Sequence, residues 1–97
     1  MTRTLILGLD GASLDLVQPW AEAGYLPNLR DLMQRGGYGE LRSVMPVLSS
    51  AAWVSFATGM NPGKHGIYDF VQRDLATYRR YLVRGGSEIK APSLWRR

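Results

Sequence analysis

The chain has 97 residues, of which 45% are hydrophobic, and a formal net charge of +4 at pH 7. This length supports one small domain, and the composition is ordinary for a folded protein, which excludes a disordered chain. The absence of cysteine excludes a disulfide scaffold, a zinc finger and a thiol nucleophile, and it fits a reducing compartment. No apolar segment approaches the roughly 20 residues of a membrane-spanning helix, and the N-terminus lacks a signal peptide pattern. We therefore expect a cytoplasmic protein without a membrane span.

The first apolar run, residues 4–9, predicts a strand buried on both faces, as in a parallel sheet covered by helices. Asp10 follows this run, at the position where open α/β sheets bind their ligands. Its carboxylate is a candidate metal ligand, since oxygen donors suit zinc, manganese and magnesium. The alternative is that Asp10 caps the next helix or makes a turn.

Two helices are predicted next. Ser13 is a candidate N-cap for the first, Pro19 should shorten or kink it, and Gly24 should end it. The second helix should begin at Pro27, because proline suits the first helical turn, and end at Gly36–Gly37.

The remainder of the chain alternates strand and helix patterns. Residues 38–44 predict a strand, 49–58 a short helix, 59–66 an ordered turn and 77–83 an edge strand, and a further helix begins near residue 91. This order indicates an α/β fold class.

Ser49 and Ser50 stand at the start of a predicted helix, where backbone N–H groups favour an anion. A hydroxyl there can act as a nucleophile when a metal lowers its pKa, and the alternative is simple N-capping. His65 is the only histidine. It cannot build a metal site or a catalytic triad alone, so a structural hydrogen bond in its loop is the expected role.

Basic residues are concentrated after residue 70, where the sequence has seven basic residues and two acidic residues. Such a segment suits a nucleic acid or a phosphorylated ligand, and it equally suits a solvated edge. The basic residues are Arg73, Arg79, Arg80, Arg84, Lys90, Arg96 and Arg97, against Asp74 and Glu88.

Three segments in order resemble the type I phosphodiesterase / nucleotide pyrophosphatase family of the alkaline phosphatase superfamily. They are LILGLDGAS, LPNLRDLMQRGGYGELRSVMP and SSAAWVSFATGMNPGKHGIYDF. The resemblance covers essentially the whole chain. It implies an α/β fold, namely the N-terminal part of an alkaline-phosphatase-like three-layer domain with a mainly parallel sheet. We expect residues 1–97 to be one truncated portion of a single catalytic domain.

The resemblance also implies a two-metal phosphoric ester hydrolase that forms a covalent phosphoserine. Asp10 matches the first metal-binding aspartate, and Ser49 matches the nucleophile, which also binds a metal. The implied cofactors are two divalent metal ions, for which zinc is the expected metal and manganese the alternative. The implied partner is a small-molecule phosphate ester. Phe70 stands where nucleotide pyrophosphatases carry an asparagine that contacts phosphoryl oxygens. Phenylalanine cannot donate that hydrogen bond.

Other functions stay open at this point. A haloacid dehalogenase-type phosphatase would need a nucleophilic aspartate where this chain has Gly8. A non-catalytic module could bind an anion or nucleic acid through the basic C-terminal segment, although nucleic acid is not the partner we expect. The matching family's other metal ligands lie downstream in relatives, so we expect the 97-residue chain to be inactive by itself.

Overall fold

The computed structural model describes residues 2–96, and the chain divides into two compact units, Met1–Leu41 and Arg42–Arg97. The first unit contains α1, Leu14–Glu22, and α2, Pro27–Arg35, which pack against each other. Both helices confirm the sequence predictions. Ser13 holds the N-cap position of α1 in an extended conformation. The expectation of one domain stays a prediction.

Pro19 lies inside α1, and the helix continues through it to Glu22. Gly24 follows with a φ of +87°, a left-handed conformation that suits glycine, and so ends the turn after α1. Ala21 is the one buried residue of α1, with 1% of its surface exposed. The core of this unit is therefore small.

The second unit contains two helices and one short β-ladder. The helices are α3, Ser49–Thr58, and α4, Pro62–His65. The strands β1, Val71–Arg73, and β2, Arg80–Leu82, pair antiparallel, with Gln72 opposite Tyr81. Short 3-10 turns at Gly86–Glu88 and Leu94–Arg96 complete the unit.

Hydrogen bonds to side chains fix the turns that connect these elements. Asn61 caps α4 by accepting a hydrogen bond from the Lys64 N–H. Between β1 and β2, one carboxylate oxygen of Asp74 accepts from the N–H groups of Ala76 and Thr77. The ordered turn predicted over 59–66 is thus confirmed, and it contains a helix.

The strand predictions for residues 4–9 and 38–44 are wrong for this structure, because neither segment is in a strand. Leu5 and Leu7 are 89% and 72% exposed rather than buried. Among residues 2–96 the ladder is antiparallel, so the predicted mainly parallel sheet is not found. A strand needs a partner strand to satisfy its backbone groups, and the described segments 4–9 and 38–44 have none. The edge strand predicted over 77–83 is confirmed in its central part.

The buried residues of the second unit come from α3, from α4 and from the turn after α4. Ala51 and Ile67 are 0% and 2% exposed, and the polar residues Thr58 and His65 are also buried. Within residues 2–96, none of the helices combines the length and apolarity that crossing a bilayer requires.

Candidate functional site

The N-terminus of α3 places two serines in its first turn. Leu48 holds the N-cap position, with φ −136° and ψ 144°, and Ser49 is the first helical residue. The first backbone hydrogen bond of the helix runs from the Ala52 N–H to the Leu48 carbonyl, at 2.9 Å. The N–H groups of a first helical turn have no carbonyl partner within the helix, and they carry the positive end of its dipole. Because Leu48 is the cap, N-capping does not explain either serine.

The two serines have different surroundings. Ser49 is partly exposed, whereas Ser50 is only 8% exposed. The Ser50 Oγ atom is buried, and it has no hydrogen-bond partner within residues 2–96. A buried hydroxyl is normally hydrogen-bonded, because burying it without a partner costs free energy.

A pocket of about 340 Å³ opens beside this helix terminus, entirely within the second unit. We call it the α3 pocket. Its wall is mostly apolar, and the two serines and one cation, Arg84, also line it. The residues that define it here are Ser49, Ser50, Trp53, Phe70, Val83 and Arg84.

His65 connects α3 to the turn after α4. Its Nε2 atom lies 2.8 Å from the Ser55 Oγ atom, and its Nδ1 atom accepts a hydrogen bond of 3.1 Å from the Ile67 N–H. Since Nδ1 is an acceptor, the ring proton of a neutral imidazole is on Nε2, which donates to Ser55. The structural hydrogen bond expected for His65 is confirmed.

This arrangement favours the neutral form of His65. Burial lowers the pKa of His65 below its ordinary value of 6.5, and a hydrogen bond to the backbone of Ala51 opposes this effect. A neutral imidazole whose Nε2 already carries a proton cannot accept the proton of the Ser55 hydroxyl. The Ser55–His65 pair is therefore a structural contact and not a nucleophile with its base.

Asp10 lies in the first unit, in a turn just before α1, and it is exposed. Gly11 beside it has a φ of +72°, and the Ser13 N–H donates to the Gly11 carbonyl. Asp10 is thus not at the end of a strand, which corrects the sequence argument for its position. Ser49 belongs to the other unit, and the proposed metal roles of both residues stay predictions.

Sequence reasoning missed the unpartnered Ser50 hydroxyl and the contact between Ser55 and His65. One signal for the second was present, since Ala51 and Ser55 are four residues apart and so lie on the same face of α3. Two small residues on one face permit close approach of a second segment. No comparable signal marks Ser50, because burial of a single hydroxyl depends on packing from distant residues.

Comparison with family models gives a match over residues 4–97 to Type I phosphodiesterase / nucleotide pyrophosphatase. The chain belongs to this family. No match is found among curated proteins or among solved structures.

Membership makes the chain part of a hydrolase family that acts on phosphate esters and is generally metal-dependent. The residues that could hold a metal do not form a complete set here. Within residues 2–96 no group of three or more histidine, aspartate or glutamate side chains could hold a metal ion. Asp10 and Ser49 supply oxygen donors of a suitable kind, but two donors do not complete the coordination of two ions. The donor set therefore does not fit the pair of metals that the family implies.

Proposed function

We propose that this chain is the nucleophile-bearing portion of a phosphoric ester hydrolase with an alkaline-phosphatase-like fold, and that Ser49 is its nucleophile. The observation that carries the proposal is the position of Ser49 at the first residue of α3, beside a pocket that Arg84 also lines. Family membership over residues 4–97 supports it.

The N-terminus of α3 suits a phosphoryl group for electrostatic reasons. First-turn N–H groups donate to anionic oxygens, and the helix dipole favours negative charge at that end. Arg84 adds a cation that can donate two parallel hydrogen bonds to phosphate oxygens. These groups would hold the ester phosphorus near the Ser49 hydroxyl and stabilise the charge that develops on its oxygens.

In the proposed reaction the Ser49 Oγ atom forms a bond to phosphorus while the bond from phosphorus to the leaving alcohol oxygen breaks. The hydroxyl proton of Ser49 passes to solvent water, and the departing alkoxide takes a proton from solvent. Water then cleaves the bond from phosphorus to the Ser49 oxygen, which regenerates the hydroxyl and releases phosphate from a monoester or a phosphate monoester from a diester. His65 is not the base in this scheme, because its Nε2 atom already donates to Ser55.

Metal-binding roles for Asp10 and for Ser49 are separate parts of the proposal, one for each unit. Within residues 2–96 no group of three or more possible ligands is present, so we propose that metal binding needs ligands in addition to Asp10 and Ser49. The chain by itself is then expected to bind a phosphoryl group without turning over an ester.

Titration with inorganic phosphate, followed by amide chemical shifts in NMR, tests the proposal. We expect the largest shifts at the amides of residues 49–51, and Arg84→Gln should weaken binding about two- to fivefold, as for a partly solvated charge pair. Arg96→Gln is the matched control, because Arg96 lies outside the α3 pocket. Shifts confined to the basic segment after residue 70, with Arg84→Gln and Arg96→Gln equivalent, would contradict the proposal and favour a non-catalytic anion-binding module.

A further inference from the structure

We propose that the hairpin formed by β1 and β2 is a docking surface for a membrane that contains anionic phospholipids. The side chains that would contact the lipid are Arg73 and Arg80, with Val71 and Leu82 on the same face of the ladder. The inference goes beyond the proposed function and does not depend on it, because none of these residues takes part in the proposed hydrolysis.

The two arginines are held at the closest cross-strand position. Arg73 and Arg80 are directly opposite each other in the ladder. The next pair is hydrogen-bonded, since the Asp74 N–H donates to the Arg79 carbonyl at 2.9 Å. Hydrogen-bonded and non-hydrogen-bonded pairs alternate along an antiparallel ladder, so the two arginines form a non-hydrogen-bonded pair, in which facing side chains are nearest. Like charges at such a position destabilise the ladder.

No carboxylate neutralises this arginine pair in the part of the chain that the structure describes. The ion pair found among residues 2–96 joins Arg35 and Asp31, in the first unit. The acidic residue of the hairpin, Asp74, directs one carboxylate oxygen to the N–H groups of Ala76 and Thr77. Both arginines of the pair are exposed, so an external anion can reach them. A phosphate group that accepts hydrogen bonds from both guanidinium groups would offset their repulsion.

Apolar side chains on the same hairpin point to lipid as the source of that phosphate. Val71 and Leu82 are directly opposite each other, two residues along from the arginines, and are 43% and 65% exposed. The turn adds Leu75 and Tyr78, which are 85% and 71% exposed. Aliphatic side chains gain little burial against a free phosphate or a nucleic acid backbone. They can enter the interface of a bilayer, where tyrosine is also favoured.

The charge of the hairpin selects anionic over zwitterionic lipid. Residues 71–82 contain Arg73, Arg79 and Arg80 against the single acidic residue Asp74. Each basic side chain near an anionic membrane surface contributes an attraction that corresponds to about fivefold in affinity. Salt weakens this attraction because the charges are exposed to solvent. The hairpin should therefore bind anionic membranes reversibly and in a salt-dependent way.

Co-sedimentation of the 97-residue chain with lipid vesicles measures its partition coefficient. One set of vesicles is pure phosphatidylcholine, and the other contains equal parts of phosphatidylcholine and phosphatidylserine. At low salt the partition coefficient should be at least about tenfold higher for the second set, because several cations act together. Raising the salt concentration should remove most of this difference.

Substitutions of the arginine pair test its role. Arg73→Gln and Arg80→Gln should each lower the partition coefficient for the anionic vesicles about fivefold. Arg73→Glu should lower it further and also raise the melting temperature, because it places opposite charges across the ladder. Arg30→Gln is the matched control, since Arg30 is exposed on α2 in the first unit. It should leave the partition coefficient within about twofold of the wild type.

Leu82→Ser tests the apolar contribution without changing any charge. It should lower the partition coefficient for the anionic vesicles about threefold or more, because a serine gains no burial in the bilayer interface. Leu41→Ser is the matched control, since Leu41 is 95% exposed and lies outside the hairpin. It should leave vesicle binding unchanged.

Several results would overturn the inference. Equal partition into the two sets of vesicles, or no binding to either at low salt, would exclude an anionic membrane as the partner. Equal losses in Arg73→Gln and Arg30→Gln would assign the attraction to net charge and not to the hairpin. An unchanged affinity in Leu82→Ser would overturn the assignment to lipid, and a melting temperature that falls in Arg73→Glu would overturn the role given to the arginine pair.

Discussion

His65 is a histidine, a residue type that is often catalytic, but its role in this chain is structural. Both ring nitrogens are engaged, one as donor to Ser55 and one as acceptor from the Ile67 N–H. Protonation would place a second N–H on Nδ1, where it would face the Ile67 donor. The hydrogen bond that orders the turn after α4 would then be lost. The neutral ring is thus a requirement of the fold at this place.

The free energy of unfolding should therefore depend on pH through His65. The pKa of His65 is lowered in the folded chain from its ordinary value of 6.5, so between these two values the unfolded chain binds more protons. Stability should be fully present above about pH 6.5 and decrease as the pH falls toward the folded pKa, with a slope of at most about 1.4 kcal/mol per pH unit.

Chemical denaturation of the wild type and of His65→Gln at several pH values between about 5 and 7.5 measures this dependence. The glutamine variant does not titrate, so its slope over this range should be smaller. Asp74 does not interfere, because hydrogen bonds from the Thr77 and Ala76 N–H groups lower the pKa of its carboxyl below 3.8. Equal slopes in both proteins would contradict the assignment to His65.

At the scale of secondary structure elements, the sequence predicts helices well and strands poorly. The start of α2 follows from Pro27, and the ends of α2 and α3 follow from the glycines that come after each helix. Helical hydrogen bonds join residues four apart, so a local pattern contains the necessary information. Residues 4–9 have a buried-strand pattern, but a strand forms only where a distant segment supplies its partner. The burial of the Ser50 hydroxyl also depends on distant packing, so the local sequence does not predict it.

The end of α3 offers a direct test of a backbone requirement. Gly59 has a φ of +67°, and no atom lies within 4 Å of the position where a Cβ atom would be. Gly59→Ala should therefore lower the free energy of unfolding by about 1–2 kcal/mol through backbone strain alone.

Gly85→Ala is the matched control within the same unit, because Gly85 is extended, with a φ of 169°, and is also surrounded by open space. It should change stability by less than about 0.5 kcal/mol. Urea denaturation followed by circular dichroism compares the two variants. Equal effects would show that the left-handed conformation of Gly59 is not what ends α3.

At the scale of the whole molecule, few apolar side chains are buried. The buried hydrophobic residues among 2–96 are Ala21, Ala51 and Ile67, whereas leucines such as Leu5 and Leu75 are 89% and 85% exposed. Because only Ile67 among the three has a large side chain, the stability of the second unit should depend on it unusually strongly.

Ile67→Ala should lower the free energy of unfolding by about 2–5 kcal/mol, or prevent folding of the second unit, since it leaves a cavity beside Ala51 and His65. Leu75→Ala, in the same unit, should cost less than about 0.5 kcal/mol. Thermal unfolding of both variants, with the dispersion of their NMR spectra as a measure of folding, gives the comparison. A similar loss of stability in both variants would show that the difference in exposure between Ile67 and Leu75 does not determine how much each side chain stabilises the unit.

The β1–β2 ladder has one further consequence. Each strand of a pair uses one of its edges, so a two-stranded ladder presents two outward edges with N–H and C=O groups directed away from the pair. Among residues 2–96 no third strand pairs with either edge. The hairpin is therefore a template on which a sheet can grow in both directions, and its three-residue strands set the register that any added strand would have to follow.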